Sequence, residues 1–286
     1  METKICSKCG KEKELSEFRR IYNNQVDKYY YRRECHECEL THSKKNKNNY
    51  ILYFNSKIKE SDNNKLTRDN YCIPTNEVSL SVQKELERRL EIYRSRNIEA
   101  ELSDKVFKDK EHYTDEYVKN HYERCMKNFD LNMKYFNSLE YDDFNNVLNT
   151  FVEKYKFIET KDLNEVNDIS GVYILVLDQY KQVYIGISNN IKKRILTHWS
   201  TRKEFTRLIW GDENTSIISI DSFGAFDTTR IFYKKLEYYE LMNSEEKYVK
   251  KFKSKYLINR VAGGINDENT MTRNLQLIGT QRKRKM

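Results

Sequence analysis

Residues 171–186 read GVYILVLDQYKQVYIG. Gly171 to Leu177 is a run of apolar, β-branched and aromatic residues, the composition of a strand. Gln182 to Gly186 repeats that composition, and Asp178 to Lys181 supplies the turn between them. A loop of even length pairs Leu177 with Gln182, Leu175 with Tyr184, and Tyr173 with Gly186. Opposed residues share a face, so Tyr173 and Tyr184 become diagonal neighbours within reach of each other. An odd loop would put them on opposite faces. A glycine opposite Tyr173 leaves room beside its ring.

The next segment begins Ser188-Asn189-Asn190, a helix-start signal, and continues IKKRILTHW. Ile191, Ile195 and Trp199 form its inward stripe. Arg194 and His198, four residues apart, share one edge. Further on, Leu241, Glu245, Tyr248, Val249 and Phe252 fall at helical spacing. A carboxylate inside such a stripe is costly unless it is paired or holds a metal. Glu246 lies about 100° further round and reads as solvated. The plainer account of Glu245 is an acidic residue in a first helical turn. Taken singly, an arginine is usually a solvated charge and a histidine incidental.

In this order, GVY, VYIG, Arg194, His198, Glu245 in EEKYVKKF, and Asn259 in LINRVAGG resemble the GIY-YIG nuclease family. Val172 stands where the family's name has Ile, a conservative change. Ten residues separate Tyr173 from Tyr184, and Arg194 lies eight after Gly186. The resemblance covers about 100 of 286 residues. It implies an α+β domain over 166–268, with a three-stranded antiparallel sheet flanked by helices, and a metal-dependent endonuclease acting on DNA, expected to be double-stranded. Tyr173 would be the general base, directly or through water, and Tyr184 would orient the nucleophile or bind phosphate. Arg194 would hold the scissile phosphate, His198 would assist there, and Glu245 would be the protein ligand of one Mg²⁺. Asn259 would support the site. A free tyrosine titrates near pH 10, so this scheme expects Arg194 and the metal to depress the phenol.

Four of the six cysteines crowd into residues 1–42. Cys6 and Cys9 form one C-x2-C, and Cys35 and Cys38 form another after a gap of 25 residues. Two such knuckles suit tetrahedral zinc, even though the gap exceeds the common one. The basic, aromatic insert can pack a tiny core through Phe18, Tyr22 and Tyr29 to Tyr31, or contact DNA. Four thiolates complete the coordination, which leaves His36 outside it. The module loosely resembles zinc modules beside phage-type and large-virus nuclease domains.

Residues 43–165 carry no catalytic motif and read as a helical spacer or arm. Val82, Leu86, Leu90 and Tyr93 mark one helix. Val118, Tyr122, Cys125, Phe129, Met133 and Phe136 mark a second, and Phe144, Val147, Leu148, Phe151, Tyr155 and Ile158 a third. Cys125 sits on an apolar stripe as a core thiol, and Cys72 has no partner legible in the sequence.

The formal net charge of +8 favours an anionic partner. Lys192, Lys193, Arg202, Lys203 and the basic tail of 269–286 are candidate phosphate contacts; the tail reads equally as a disordered end with nonspecific affinity. No run of 18 apolar residues predicts a membrane span. METKICSKCG lacks the apolar region of a secretory signal, which leads to an intracellular expectation and reduced thiols. Homing, restriction and repair roles all fit. The competing reading is a non-catalytic zinc protein that binds DNA through a degenerate nuclease fold. Such a fold would have lost Arg194, Glu245 or a tyrosine, and none is lost.

Overall fold

The computed structural model describes residues 2–23, 28–39, 49–95, 104–241 and 244–260. The basic tail of 269–286 and the glycines Gly263 and Gly264 lie outside the described residues. The chain divides into two compact units, Met1–Tyr50 and Ile51–Met286.

The first unit is two antiparallel hairpins. Strand β1 (Thr3–Ile5) pairs with β2 (Glu12–Glu14), and β3 (Phe18–Asn23) pairs with β4 (Lys28–Cys35). Its buried core consists of Phe18 with Cys6 and Cys35, and Tyr31 and Cys38 pack against them. Tyr29 and Tyr30, also candidates for that core, are exposed. So few apolar residues cannot offset the entropy of ordering the chain, and the cysteines must do the rest.

At the start of the second unit, β5 (Tyr50–Tyr53), whose first residue ends the first unit, and β6 (Ser56–Lys59) form a hairpin. Phe54 and Asn55, both at positive φ, make its tight turn. The main sheet has four strands, not the three expected, in the order β7 (Ile158–Thr160), β10 (Arg230–Lys235), β8 (Gly171–Leu177), β9 (Gln182–Ser188). All neighbours run antiparallel. The additional strand explains a second correction. The helix Tyr141–Tyr155 ends at Lys156 in the left-handed region, so Ile158 belongs to β7 rather than to the helical stripe.

The hairpin register is the even-loop one: Leu177 faces Gln182, Leu175 faces Tyr184, and Tyr173 faces Gly186. Every residue of β8 is buried, because both faces of the sheet are covered. Val172, Ile174 and Val176 point to one core, with Phe144, Leu148 and Phe151 of the helix Tyr141–Tyr155 and Tyr248 and Val249 of the helix Ser244–Lys251. Tyr173, Leu175 and Leu177 point to the other. There they meet Ile191, Ile195 and Trp199 of the helix Ile191–Ser200 and Cys125, Phe129 and Phe136 of the helix Asp115–Asn137.

The stretch 43–165 is therefore not a separate spacer where it is described. Ile58, Leu66, Tyr71, Cys72 and Met126 belong to the same core as Tyr173, and Tyr53 and Phe54 pack on Trp199. Cys72 has a partner after all: its side chain lies against Cys125, where both are buried. No helix among the described residues is long and apolar enough to cross a membrane.

Candidate functional site

The site grows from the β8–β9 hairpin. Gly186 is indispensable to it, because a Cβ there would lie 2.5 Å from both the Cζ and the hydroxyl of Tyr173. β9 is the edge strand of the sheet, and an unpaired edge needs cover. Asn259 supplies it: its amide donates to the Ile185 carbonyl at 2.7 Å and its oxygen accepts from the Ile185 N–H at 3.0 Å. The Ile258 N–H adds a bond to the Val183 carbonyl at 3.0 Å. Asn259 thus clamps the backbone between Tyr184 and Gly186.

The helix Ile191–Ser200 starts at Asn190, whose side chain accepts from the Lys193 N–H at 2.9 Å. That start places Arg194 and His198 over the hairpin. His198 is buried, and its Nε2 lies 2.9 Å from the Tyr173 hydroxyl. The Tyr184 ring stands edge-on to His198 at 5.1 Å, and the two tyrosine rings are 6.2 Å apart. Arg194 is solvent-exposed at its surface side, yet its charge bears on both phenols. Glu245, in the first turn of the helix Ser244–Lys251, is half-buried and acts on the same tyrosines and on Arg194. Its neighbour Glu246 instead pairs with Lys250 along the helix. Of the stripe expected around Glu245, Leu241, Tyr248, Val249 and Phe252 are all buried, although Leu241 sits in a separate helical turn.

From the protein's own groups alone, burial raises the Tyr173 phenol well above its ordinary value, with Tyr184 and Glu245 adding to that shift and the charge of Arg194 opposing it. Tyr184 moves the same way, also through burial first. Burial likewise raises the Glu245 carboxyl to about 7, against the pull of Arg194. His198 is pushed down by burial, more than its contact with Asp221 restores.

Asp221 was not legible in the sequence. It lies in the stretch between the helix and β10, in a short helical turn of Ile220–Ser222, with no periodic pattern to flag it. Its Oδ1 is 2.7 Å from His198 Nδ1 and its Oδ2 is 3.8 Å from Lys203 Nζ.

The four candidate phosphate contacts are placed differently from one another. Lys193 is exposed. Lys192 donates to Asn164 Oδ1 at 2.6 Å, Lys203 faces Asp221, and Arg202 bonds the carbonyls of Ser222 and Asn63.

In the first unit, the sulfurs of Cys6, Cys9, Cys35 and Cys38 all lie within 4.8 Å of one another. Gly10 at φ +69° turns the first knuckle, and its N–H returns to the Cys6 carbonyl at 2.9 Å. The N–H groups of Lys8 and Cys35 point at Cys6 Sγ at 3.4 and 3.3 Å. Backbone donors at Cys9 and Cys35 hold the Cys6 thiol down, whereas burial pushes the Cys38 thiol up. These four cysteines are placed to hold a metal such as zinc. His36 is exposed.

Comparison with protein-family models, with curated proteins and with solved structures finds no match for this chain.

Proposed function

We propose that the chain is a metal-dependent DNA endonuclease of the GIY-YIG kind, with a zinc-bearing N-terminal unit that aids DNA binding. One observation carries the reading. Tyr173, Tyr184 and His198 meet in ring contact on one side of the hairpin, with Arg194 and Glu245 both bearing on the phenols. This is the set that the resemblance names, drawn from four separate segments.

Each residue has a role its surroundings support. Arg194, an exposed residue whose guanidinium hydrogen-bonds the two tyrosine hydroxyls, would take a phosphate and stabilise the charge that develops there. Tyr184 orients the attacking water. Tyr173 receives the water's proton through the hydroxyl that it shares with His198. Asn259 fixes the strand that carries Tyr184. Glu245 would hold Mg²⁺: its half-buried carboxyl bears on the same phenols as Arg194, and a bound cation would offset the burial that raises it. When bound, magnesium would supply positive charge to the phosphate oxygens.

In the first unit, zinc fits the four sulfurs. Tetrahedral Zn–S bonds of about 2.3 Å put sulfurs roughly 3.8 Å apart, inside the 4.8 Å span observed.

The test is cleavage of supercoiled plasmid with Mg²⁺, with EDTA, and by Tyr173→Phe. Nicking or linearisation that needs both Mg²⁺ and the Tyr173 hydroxyl is the expected result. Salt-sensitive retention in a gel shift, with no cleavage of plasmid or genomic DNA, would favour a non-catalytic DNA-binding protein instead.

A further inference from the structure

A buried tyrosine that stays protonated is a poor base by itself. Its usefulness depends on where its own proton can go. Here the hydroxyl meets His198 Nε2 at 2.9 Å, and the opposite ring nitrogen meets Asp221 at 2.7 Å. An ionised carboxylate only accepts hydrogen bonds, so the proton of a neutral His198 belongs on Nδ1. Nε2 then has a lone pair, and the Tyr173 O–H donates to it.

We infer that Asp221 is a positioning residue that completes a Tyr173–His198–Asp221 proton relay. The inference rests on the nuclease reading for its chemistry but not for its geometry. In the hydrolytic step, the water oxygen forms a bond to phosphorus and the P–O ester bond breaks. The water's proton passes to the Tyr173 oxygen as the tyrosine's own proton passes to His198 Nε2. The leaving oxygen takes a proton from solvent, and His198 later returns its proton to solvent. Asp221 stays ionised and stabilises the transient imidazolium.

Several features fit this assignment. Burial raises the Asp221 carboxyl, but the bond to His198 and the charge of Lys203 outweigh that and leave it lowered, so it is ionised at neutral pH. Its backbone is tied down. The Ser222 N–H bonds the Ser219 carbonyl at 2.9 Å, and Arg202 grips the Ser222 carbonyl at 2.9 Å. The groups that face His198 are Tyr173 from β8, Tyr184 from β9, Arg194 from its own helix, Asp221 from the short turn, and Lys203 just beyond the helix. Asp221 is the sole anion among these, so it alone can offset a charge on the ring.

The experiment uses the full chain with ¹⁵N-labelled histidines. Long-range proton–nitrogen NMR reads the protonation of each ring nitrogen, and His198→Gln identifies the signal among the 5 histidines. At pH 7 His198 should carry its proton on Nδ1 alone. In Asp221→Asn an amide can face the ring either way and no longer fixes the tautomer. The signal should shift towards Nε2–H, and Mg²⁺-dependent cleavage should fall about 100-fold with gel-shift affinity retained. A wild-type ring protonated on Nε2 would overturn the inference. So would an Asn variant with an unchanged tautomer, or one with a changed tautomer but undiminished cleavage. Should the wild type cleave nothing, the tautomer still decides the relay, so the two readings fail separately.

Discussion

The two units hold their sites by opposite means. In the first, Phe18 and Tyr31 pack directly on cysteines of the four-sulfur cluster, and the site is the core. In the second, two apolar layers grip a fully buried strand, and the site is a polar inclusion at their margin. A metal-dependent fold is therefore expected beside a metal-independent one. The difference can be broken from either end.

The largest effect should come from Cys35→Ser or a strong chelator. Structural zinc contributes on the order of 10–16 kcal/mol of apparent binding energy. Its loss should unfold residues 1–50 while the second unit keeps its own thermal transition. Circular dichroism with zinc quantitation checks this; stoichiometric zinc in the Ser variant would sink the four-cysteine site.

Next is Gly186→Ala. The added Cβ would collide with the end of the Tyr173 ring, at a cost of about 1–3 kcal/mol. The ring must tilt away from His198, so activity should fall further than the melting temperature implies. Asn259→Ala removes both bonds to the Ile185 backbone. Leaving those groups unpaired should cost about 1–3 kcal/mol, measured by urea unfolding.

A smaller effect concerns pH. The folded value of Glu245, about 7, lies above its ordinary 4.5, so folding favours the protonated form. Its contribution is complete below about pH 4.5 and is lost as pH rises through 7. In metal-free buffer the second unit should lose stability across that window. Glu245→Gln should flatten the slope; an unchanged slope would assign it to another group.

The contrast also explains what the sequence made legible. The four clustered cysteines lie in two short knuckles, so their spacing marks them as candidate ligands. The hairpin register follows from loop parity and one glycine, and Arg194 and His198 follow from helical periodicity. Beyond these local rules, the sequence is silent. The strand β7 is three residues long and adds only at the far edge of the sheet, so its Ile158 looked like one more helical turn. Cys72 and Cys125 become neighbours only through packing of distant segments. Asp221 reaches His198 from an irregular turn, where no pattern marks a residue. The raised Tyr173 phenol follows from burial on both faces of the sheet, whereas the sequence displayed only the nearby cation.

The most direct measurement compares Glu245→Ala, Glu246→Ala and the wild type on supercoiled plasmid in Mg²⁺. Glu246 merely pairs with Lys250 at the surface, a contact worth less than about 1 kcal/mol. Wild type and Glu246→Ala should cleave alike, and Glu245→Ala should retain DNA in a gel shift without cutting it. Cleavage that survives in Glu245→Ala and is lost in Glu246→Ala would contradict that expectation.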